Sequence, residues 1–478
     1  MDLFSNLPNE LLCHILSFMT TKEAALTSVL SKRWRNLFAS VPNLDLDDSI
    51  FLHSEEGKRE KPGILQSFMD FVDRVLALQG DSLMKKFSLK CKTGVESVRV
   101  DRWIHNALQR GVSELDLFIE LDSFYWLPQE VSLSKTLVEL RVGSGFDLHW
   151  WPLDISLPML KTLLLDSSGL HCGQYQTLFL GCPALEVLDL TNMQWCDHNV
   201  TVSSPVLKEL TIDFHGLTNV VPLTSLSFDA PSLVYLYYSD SLAEDYPEVN
   251  LNKVVTAHVN LVLTQGQIEQ ARSLNNDVAV DDAFAGLGNV WKLVAGIRNV
   301  QELHLSPDTL EVLSRCCEAM PVFNNLKLLV IGSDMNRGWQ AMPVLLRNCP
   351  HLETLVIEGL LHYVTDKCGD ACDCISRDDV SQEEKGRSLK SCPVKVMVIY
   401  EFGGTMREFE MIRHFLDYFP CLKEMVIYGA ESSPALLKDP EMFELVGKMM
   451  YLYNTLSSCN VQMLVPSEVD CTVKSKSE

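Results

Sequence analysis

Residues 185–190 read "LEVLDL", and the L-x-x-L-x-L spacing also appears as "LVELRV" (137–142), "LKTLLL" (160–165) and "LKELTI" (207–212). Further copies are "LVYLYY" (233–238), "VQELHL" (300–305), "LKLLVI" (326–331), "LETLVI" (352–357) and "LKEMVI" (422–427). The first four start 23, 25 and 22 residues apart. That step fits a period of about 20–29 residues, in which each repeat is one strand plus a return segment and buries its apolar side by stacking on its neighbours. One strand per turn predicts a parallel sheet along one wall of a solenoid.

Prolines punctuate the array: Pro158, Pro183, Pro205, Pro231, Pro350 and Pro420 each stand just before a strand. Proline stops a preceding helix and presets extended backbone, so these positions read as return-to-strand corners. Cys182 and Cys349 both occupy "CP-x-L" corners, and repetition at one structural position favours packing over chemistry. The asparagine usual three residues beyond the third leucine of a leucine-rich repeat is absent, and Met193 stands there in the copy from Leu185. Without that backbone-bonding ladder the pattern predicts an irregular leucine-rich-repeat solenoid.

Strand alternation turns the pattern leucines inward and the residues between them outward. Outward positions in the first half are Glu114, Asp116, Glu139, Arg141, Asp166, Asp189, Glu209, Thr211 and Asp213, followed by Tyr235 and Tyr237. They read either as an ordinary wet sheet face or as a binding wall for basic partners, with Glu139, Asp189, Glu209, Asp213, Tyr235 and Tyr237 as substrate-contacting candidates. From Leu326 on the outward residues become Leu328, Val330, Val356, Val396, Val398 and Val426. Those should be covered by other elements of the chain.

The N-terminus differs from the array. Pro8 and Glu10 suit the first turn of a helix, and Leu11, Leu12, Ile15, Leu16 and Met19 recur at helical spacing. Thr20 with Glu23 makes a capping-box pattern for a second helix running through Leu30. Ser31 can cap a third helix carrying Trp34, Leu37 and Phe38, which Pro42 ends. Three such helices in about 40 residues bury too little surface to stand alone. They read either as a cap closing the solenoid core or as a docking head for a partner's helices, with Leu7, Pro8 and Ile15 in the contact.

Composition bounds the function. The 478 residues are 47% hydrophobic, enough for a large core, and the formal charge of −23 argues against nucleic acid or anionic lipid as a partner. No basic stretch precedes the first apolar residues, and no run of about 18 apolar residues indicates a membrane span. The 15 cysteines are odd in number and fit reduced thiols in cytosol or nucleus, which makes "NVT" at Asn199 a fortuitous sequon. "GLGNVW" at Gly286 lacks the third glycine and the strand-then-helix frame of a dinucleotide loop, His149 beside Trp150 and Trp151 reads as a packed loop, and no catalytic motif is present. The chain reads as non-enzymatic, with no cofactor.

Toward the C-terminus, the stretch "VTDKCGDACDCISRDDVSQEEKGRS" (364–388) is polar and reads as a mobile loop. Its "CGDACDC" places Cys368, Cys372 and Cys374 at C-x3-C and C-x-C spacings, without a paired C-x-x-C and with no distal histidine pair following. These cysteines read as free thiols, and no metal is assigned. After the loop, Asp439 and Pro440 cap a helix whose Met442, Leu445, Val446, Met449, Tyr453 and Leu456 form one apolar stripe, suited to closing the solenoid's open edge.

Several of these stretches resemble one family. "LPNELLCHILSFMTTKEAALTSVLSKRWRNLF" is similar to an F-box, "VDRWIHNALQRGVSELDL" (100–117) to a unit near the start of plant F-box leucine-rich proteins, and residues 380–465 to their FBD domain. The resemblance covers nearly the whole chain. It implies an α/β fold: an F-box over 1–45, a linker over 46–63, a leucine-rich-repeat solenoid over 64–362, an acidic cysteine-containing loop over 363–379, an FBD domain over 380–465 and a disordered tail over 466–478. It also implies binding of a Skp-type adaptor and, through it, a cullin, with Leu7, Pro8, Leu11, Leu12, Ile15, Leu16, Leu30 and Trp34 as the adaptor-contacting residues. The array would then hold an unknown, possibly basic, protein substrate for ubiquitination, in cytoplasm or nucleus. Two other readings stay open: a sensor whose array binds a small molecule before its protein partner, and an F-box scaffold acting outside a ligase.

Overall fold

A computed structural model describes residues 7–49, 62–91, 95–119, 125–143, 154–166, 169–170, 174–192, 194–195, 198–214, 223–273, 286–365, 368–372, 389, 391–430 and 440–464. The chain divides into two compact units, Met1–Val221 and Pro222–Glu478. His149, Trp150, Trp151 and Cys374 lie outside the described residues.

The first unit opens with three short helices, α1 (Asn9–Leu16), α2 (Thr21–Thr27) and α3 (Lys32–Ala39). The Thr20–Glu23 capping box forms, with the Thr20 hydroxyl accepting from the Glu23 N–H at 3.3 Å and the Glu23 carboxylate accepting from the Thr20 N–H at 3.1 Å. The Ser31 hydroxyl accepts from the Trp34 N–H at 3.4 Å. Contrary to the sequence expectation, α2 does not run through Leu30. It stops at Thr27 and residues 28–30 form a turn.

Seven strands follow in sequence order, each parallel to the next: Asn43–Asp47, Lys86–Cys91, Glu114–Ile119, Glu139–Gly143, Thr162–Asp166, Val187–Thr191 and Glu209–Asp213. Helices Pro62–Gln79, Ser97–Gln109 and Gln174–Gly181 occupy return segments. The pattern leucines stack inward: Leu140, Leu163, Leu188 and Leu210 share one register position and are buried. Each buried leucine contributes roughly 1.5–3 kcal/mol. The row therefore stabilises this ladder more than any local propensity.

The second unit continues the one-strand-per-turn scheme with Tyr235–Ser241, Thr256–Val262, Glu302–Leu305, Leu328–Gly332, Thr354–Glu358, Val396–Phe402, Glu424–Gly429 and Asn460–Leu464, all parallel. "GLGNVW" begins the helix Gly286–Gly296. Among the described residues no helix is long and apolar enough to cross a membrane.

Two backbone devices recur in both units. At the proline corners a four-residue turn closes before the strand: Leu185 N–H donates to Cys182 O at 3.1 Å across Pro183, and Leu352 to Cys349 O at 3.3 Å across Pro350. Proline suits the second position of such a turn because its φ is already set. At strand starts, one carbonyl of the preceding turn accepts two successive N–H groups of the next. Lys161 O takes those of Glu186 and Val187 at 2.8 and 2.9 Å, and Lys327 O those of Glu353 and Thr354 at 3.0 and 2.9 Å. This doubled acceptance satisfies strand-start N–H groups.

The outward valines of the second unit are not fully covered. Val330 is buried, but Leu328, Val356, Val396, Val398 and Val426 are half-buried. Register sets Val330, Val356, Val398 and Val426 in one row across adjacent strands, so each shields its neighbours sideways. The C-terminal stripe also differs from the sequence expectation. Val446 and Tyr453 are buried and the Tyr453 hydroxyl donates to Phe409 O at 2.7 Å, while Met449 is half-buried and Leu456 is exposed. Nothing is described of the Met442 and Leu445 side chains. A last strand, Asn460–Leu464, pairs beyond Glu424–Gly429, so the helix does not by itself cover that strand's edge.

Candidate docking head, strand face and thiol cluster

The head divides its apolar residues between two faces. Leu12 and Leu16 of α1, Ala24 of α2, and Leu37 and Phe38 of α3 are buried. On the opposite side of α1, Leu11 and Ile15 are exposed, and so are Phe18 just after that helix, Leu26 of α2, and Val29 and Leu30 in the turn that follows it. Phe18 is 78% exposed, Val29 79% and Leu30 67%. Helical spacing puts Leu11 and Ile15 on one side of α1. Uncovered apolar side chains at this density mark a surface made for a partner.

Of the sequence-derived contact residues, Pro8, Leu11, Ile15 and Leu30 are exposed and Leu7 and Trp34 half-buried. Leu12 and Leu16 are corrected: with no exposed surface to offer, they form the head's interior and hold the outer face in place. Phe18, Leu26 and Val29 are exposed as well and were not among the residues read from the sequence. Arg33 also proves structural. Its guanidinium donates to Leu7 O and, at 2.9 and 3.1 Å, to the Asn9 carboxamide oxygen, tying the start of α1 to α3. The Asp45 N–H donates to the Thr21 hydroxyl at 2.7 Å and joins α2 to the first strand.

The outward strand face of the first unit is less uniformly acidic than its sequence. On the early strands Lys90, Arg141 and Lys86 lie close enough to hold down an Asp116 carboxyl that burial pushes up. Arg141 Nε sits 2.5 Å from the Glu139 carboxylate. Acidity concentrates on the last three strands. Burial raises the Asp189 pKa, the Thr191 hydroxyl bond at 2.7 Å opposes the rise, and the charges of Asp166 and Asp213 add to it. Glu209 is exposed; Glu139, Asp189 and Asp213 are half-buried.

In the second unit Tyr235 and Tyr237 both pack on His258, each with ring centroids 5.7 Å away. His258 stacks on His304 at 3.7 Å, and His304 Nε2 lies 2.7 Å from the Glu302 carboxylate. The two tyrosines thus begin an aromatic and imidazole ladder rather than end an acidic one.

A third grouping lies where the sequence predicted a mobile loop of free thiols. His362, Cys368 and Cys372 are buried, and one ligand-capable atom from each lies within 4.8 Å of the other two. Hydrogen bonding from Cys372, and then from His362 and Thr365, pulls the Cys368 thiol down to about 4 against burial, which raises it. By contrast, burial pushes the corner thiol of Cys182 up to about 12, and that of Cys349 is also raised. The corner cysteines are inert packing groups.

The structure thus combines a helical head carrying an uncovered apolar face with ladders of parallel one-strand turns. The F-box domain family matches residues 4–46, and the family described as FBD-associated F-box protein At5g56370, LRR repeats, matches residues 100–261. Over 472 residues, 97% of this chain and 94% of the relative, the sequence is 57% identical to F-box protein At3g59000 of Arabidopsis thaliana. F-box/LRR-repeat protein At3g58930 of the same plant is 54% identical over 476 residues, covering 97% of this chain and 98% of its own. F-box/LRR-repeat protein At3g58900, also from that plant, is 71% identical over 313 residues, 65% of this chain and 96% of its own. The chain belongs to the plant F-box/leucine-rich-repeat family, whose members are typically non-enzymatic adaptors.

Proposed function

We propose that the chain is the substrate-receptor subunit of a cullin–Skp–F-box ubiquitin ligase, acting in cytoplasm or nucleus and catalysing nothing itself. The observation that carries this is the outer face of the folded head, where Leu11, Ile15, Phe18, Leu26, Val29 and Leu30 stay uncovered while Leu12 and Leu16 hold the helices from within. A Skp-type adaptor covers that face and recruits the cullin. The strand ladders then hold a target protein, with the carboxylates of Asp166, Asp189 and Asp213 favouring a basic one. Residues 380–465 serve as the FBD domain in this reading. Ubiquitin transfer follows from effective concentration, since a bound target keeps its lysines near the ubiquitin carrier held elsewhere in the assembly.

For the sensor reading, a space of about 370 Å³ opens beside the helix Gly286–Gly296, lined by Tyr246, Val249, Trp291, Lys292 and Arg298, and none of the outward ladder residues named above lines it. The test is co-purification of the full chain with a Skp-type adaptor and cullin, and its repetition with Leu7→Ala plus Pro8→Ala. The wild-type chain should bring down both subunits and the double variant should lose both. Adaptor without cullin would favour the scaffold reading, and full retention by a folded double variant would remove the head from the contact.

A further inference from the structure

We propose that His362, Cys368 and Cys372 bind a zinc ion through the imidazole Nε2 and the two Sγ atoms, and that this ion pins the long return segment between strands Thr354–Glu358 and Val396–Phe402. Two thiolates and an imidazole are the borderline-soft donor set that zinc takes in intracellular proteins. Tetrahedral zinc with bonds of about 2.3 Å to sulfur and about 2.0 Å to nitrogen holds such atoms roughly 3.5–3.8 Å apart. The three ligand atoms here already lie within 4.8 Å of one another, so a small contraction suffices.

The backbone is built for the arrangement. Gly369 takes a left-handed φ of +57° and opens the single turn Gly369–Ala371, closed by the Ala371 N–H on Cys368 O at 3.1 Å. A side chain at Gly369 would be strained by that φ, and its Cβ would come within 2.9 Å of Pro343. The turn sets the two cysteines at its two ends. Its own middle residue is tied down on both sides: the Asp370 carboxylate accepts from the Leu389 N–H at 2.9 Å, and Asp370 O lies 2.7 Å from His414 Nε2.

The histidine is oriented in the way metal ligands usually are. Its Nδ1 lies 3.3 Å from Leu360 O, and the ring is also hydrogen-bonded to Cys368, a contact that zinc would replace as the thiol proton leaves; a backbone carbonyl on one nitrogen is the common support of an imidazole that ligates through the other. Trp339 stacks flat on the ring, 4.2 Å between centroids and 8° between planes, and fixes its rotation. These supports come from three separate stretches of chain. A mobile loop would have none of them. The site supplies three of the four ligands of a tetrahedral ion, and binding releases the thiol protons to solvent without any redox change.

The test uses the full chain purified under reducing conditions in zinc-containing buffer, followed by elemental analysis after gel filtration. About one zinc per chain is expected, falling below about a tenth in Cys368→Ser with Cys372→Ser and in His362→Gln, while Cys182→Ser keeps the wild-type content. Cobalt added in place of zinc should give thiolate charge-transfer absorption in the wild-type chain only. If the ligand variants prove insoluble, thiol modification of the wild-type chain with a zinc-binding dye decides the matter, because zinc should appear as the cysteines react. A metal-free wild-type chain, undiminished zinc in the variants, or a Cys368–Cys372 disulfide in the reduced preparation would overturn the assignment.

Discussion

Phe18→Ala combined with Leu30→Ala should abolish most adaptor affinity while leaving the head folded. The two side chains are 78% and 67% exposed in the isolated chain, so they contribute little to its stability, and surface changes of this kind usually fall within about 0.5 kcal/mol. Burying one such side chain completely contributes about 1.5–3 kcal/mol. Scaled by the exposed fractions, and allowing for the Cβ that alanine keeps, the pair amounts to roughly 2–4 kcal/mol of binding. At about 1.4 kcal/mol per tenfold, Kd should rise by roughly 30- to 1,000-fold. The assay is calorimetric titration of a Skp-type adaptor into the full chain, with thermal unfolding followed in parallel. Leu12→Ala is the contrasting variant: Leu12 is wholly buried, so it should destabilise the head by about 2–5 kcal/mol and lose binding through unfolding. A double variant that binds within about threefold of wild type, with unchanged unfolding, would refute the assignment of this face.

Reversing Asp189, Glu209 and Asp213 to Lys changes the local charge by about six units at outward positions. Adaptor binding should survive and capture of a basic target should fall, with a smaller loss at high salt; equal capture at both salt concentrations would leave these positions a solvated sheet face. Val446→Asp should cost several kcal/mol by placing an unpaired carboxylate in a buried site, seen as insolubility or lost cooperativity. Tyr453→Phe should cost about 1 kcal/mol in denaturant unfolding by removing the hydroxyl's bond to Phe409 O. Burial first and the adjacent His304 second lower the His258 pKa from 6.5 to about 4. The unfolded chain therefore takes up a proton that the folded chain excludes between those values, so this contribution to stability is complete above about pH 6.5 and declines as pH falls toward 4. His258→Phe, which keeps the ring stack, should flatten that part of the pH–stability profile, and NMR titration should show His258 still neutral at pH 5.

The leucine spacing and the proline corners were legible because each repeat makes the same local demand. An inward apolar row must be buried and a turn must close before every strand, and both leave periodic marks. The Thr20–Glu23 capping box and the family likeness of the head are local for the same reason. Which leucines of α1 face outward depended on what the other helices cover: Leu12 and Leu16 differ from Leu11 and Ile15 only in their neighbours. The acidic outward positions showed in the sequence. The lysines and arginine that offset them on the early strands, and the histidines that Tyr235 and Tyr237 pack against, came into place only through register between strands more than 20 residues apart. The thiol cluster was the least legible. His362 stands six residues upstream of Cys368, outside the spacing of a downstream histidine pair, and its ring is set by Trp339 from a different turn of the fold. Periodicity records burial, which every repeat shares. A site made from non-equivalent positions has no period, and its ligands converge only when the chain has packed.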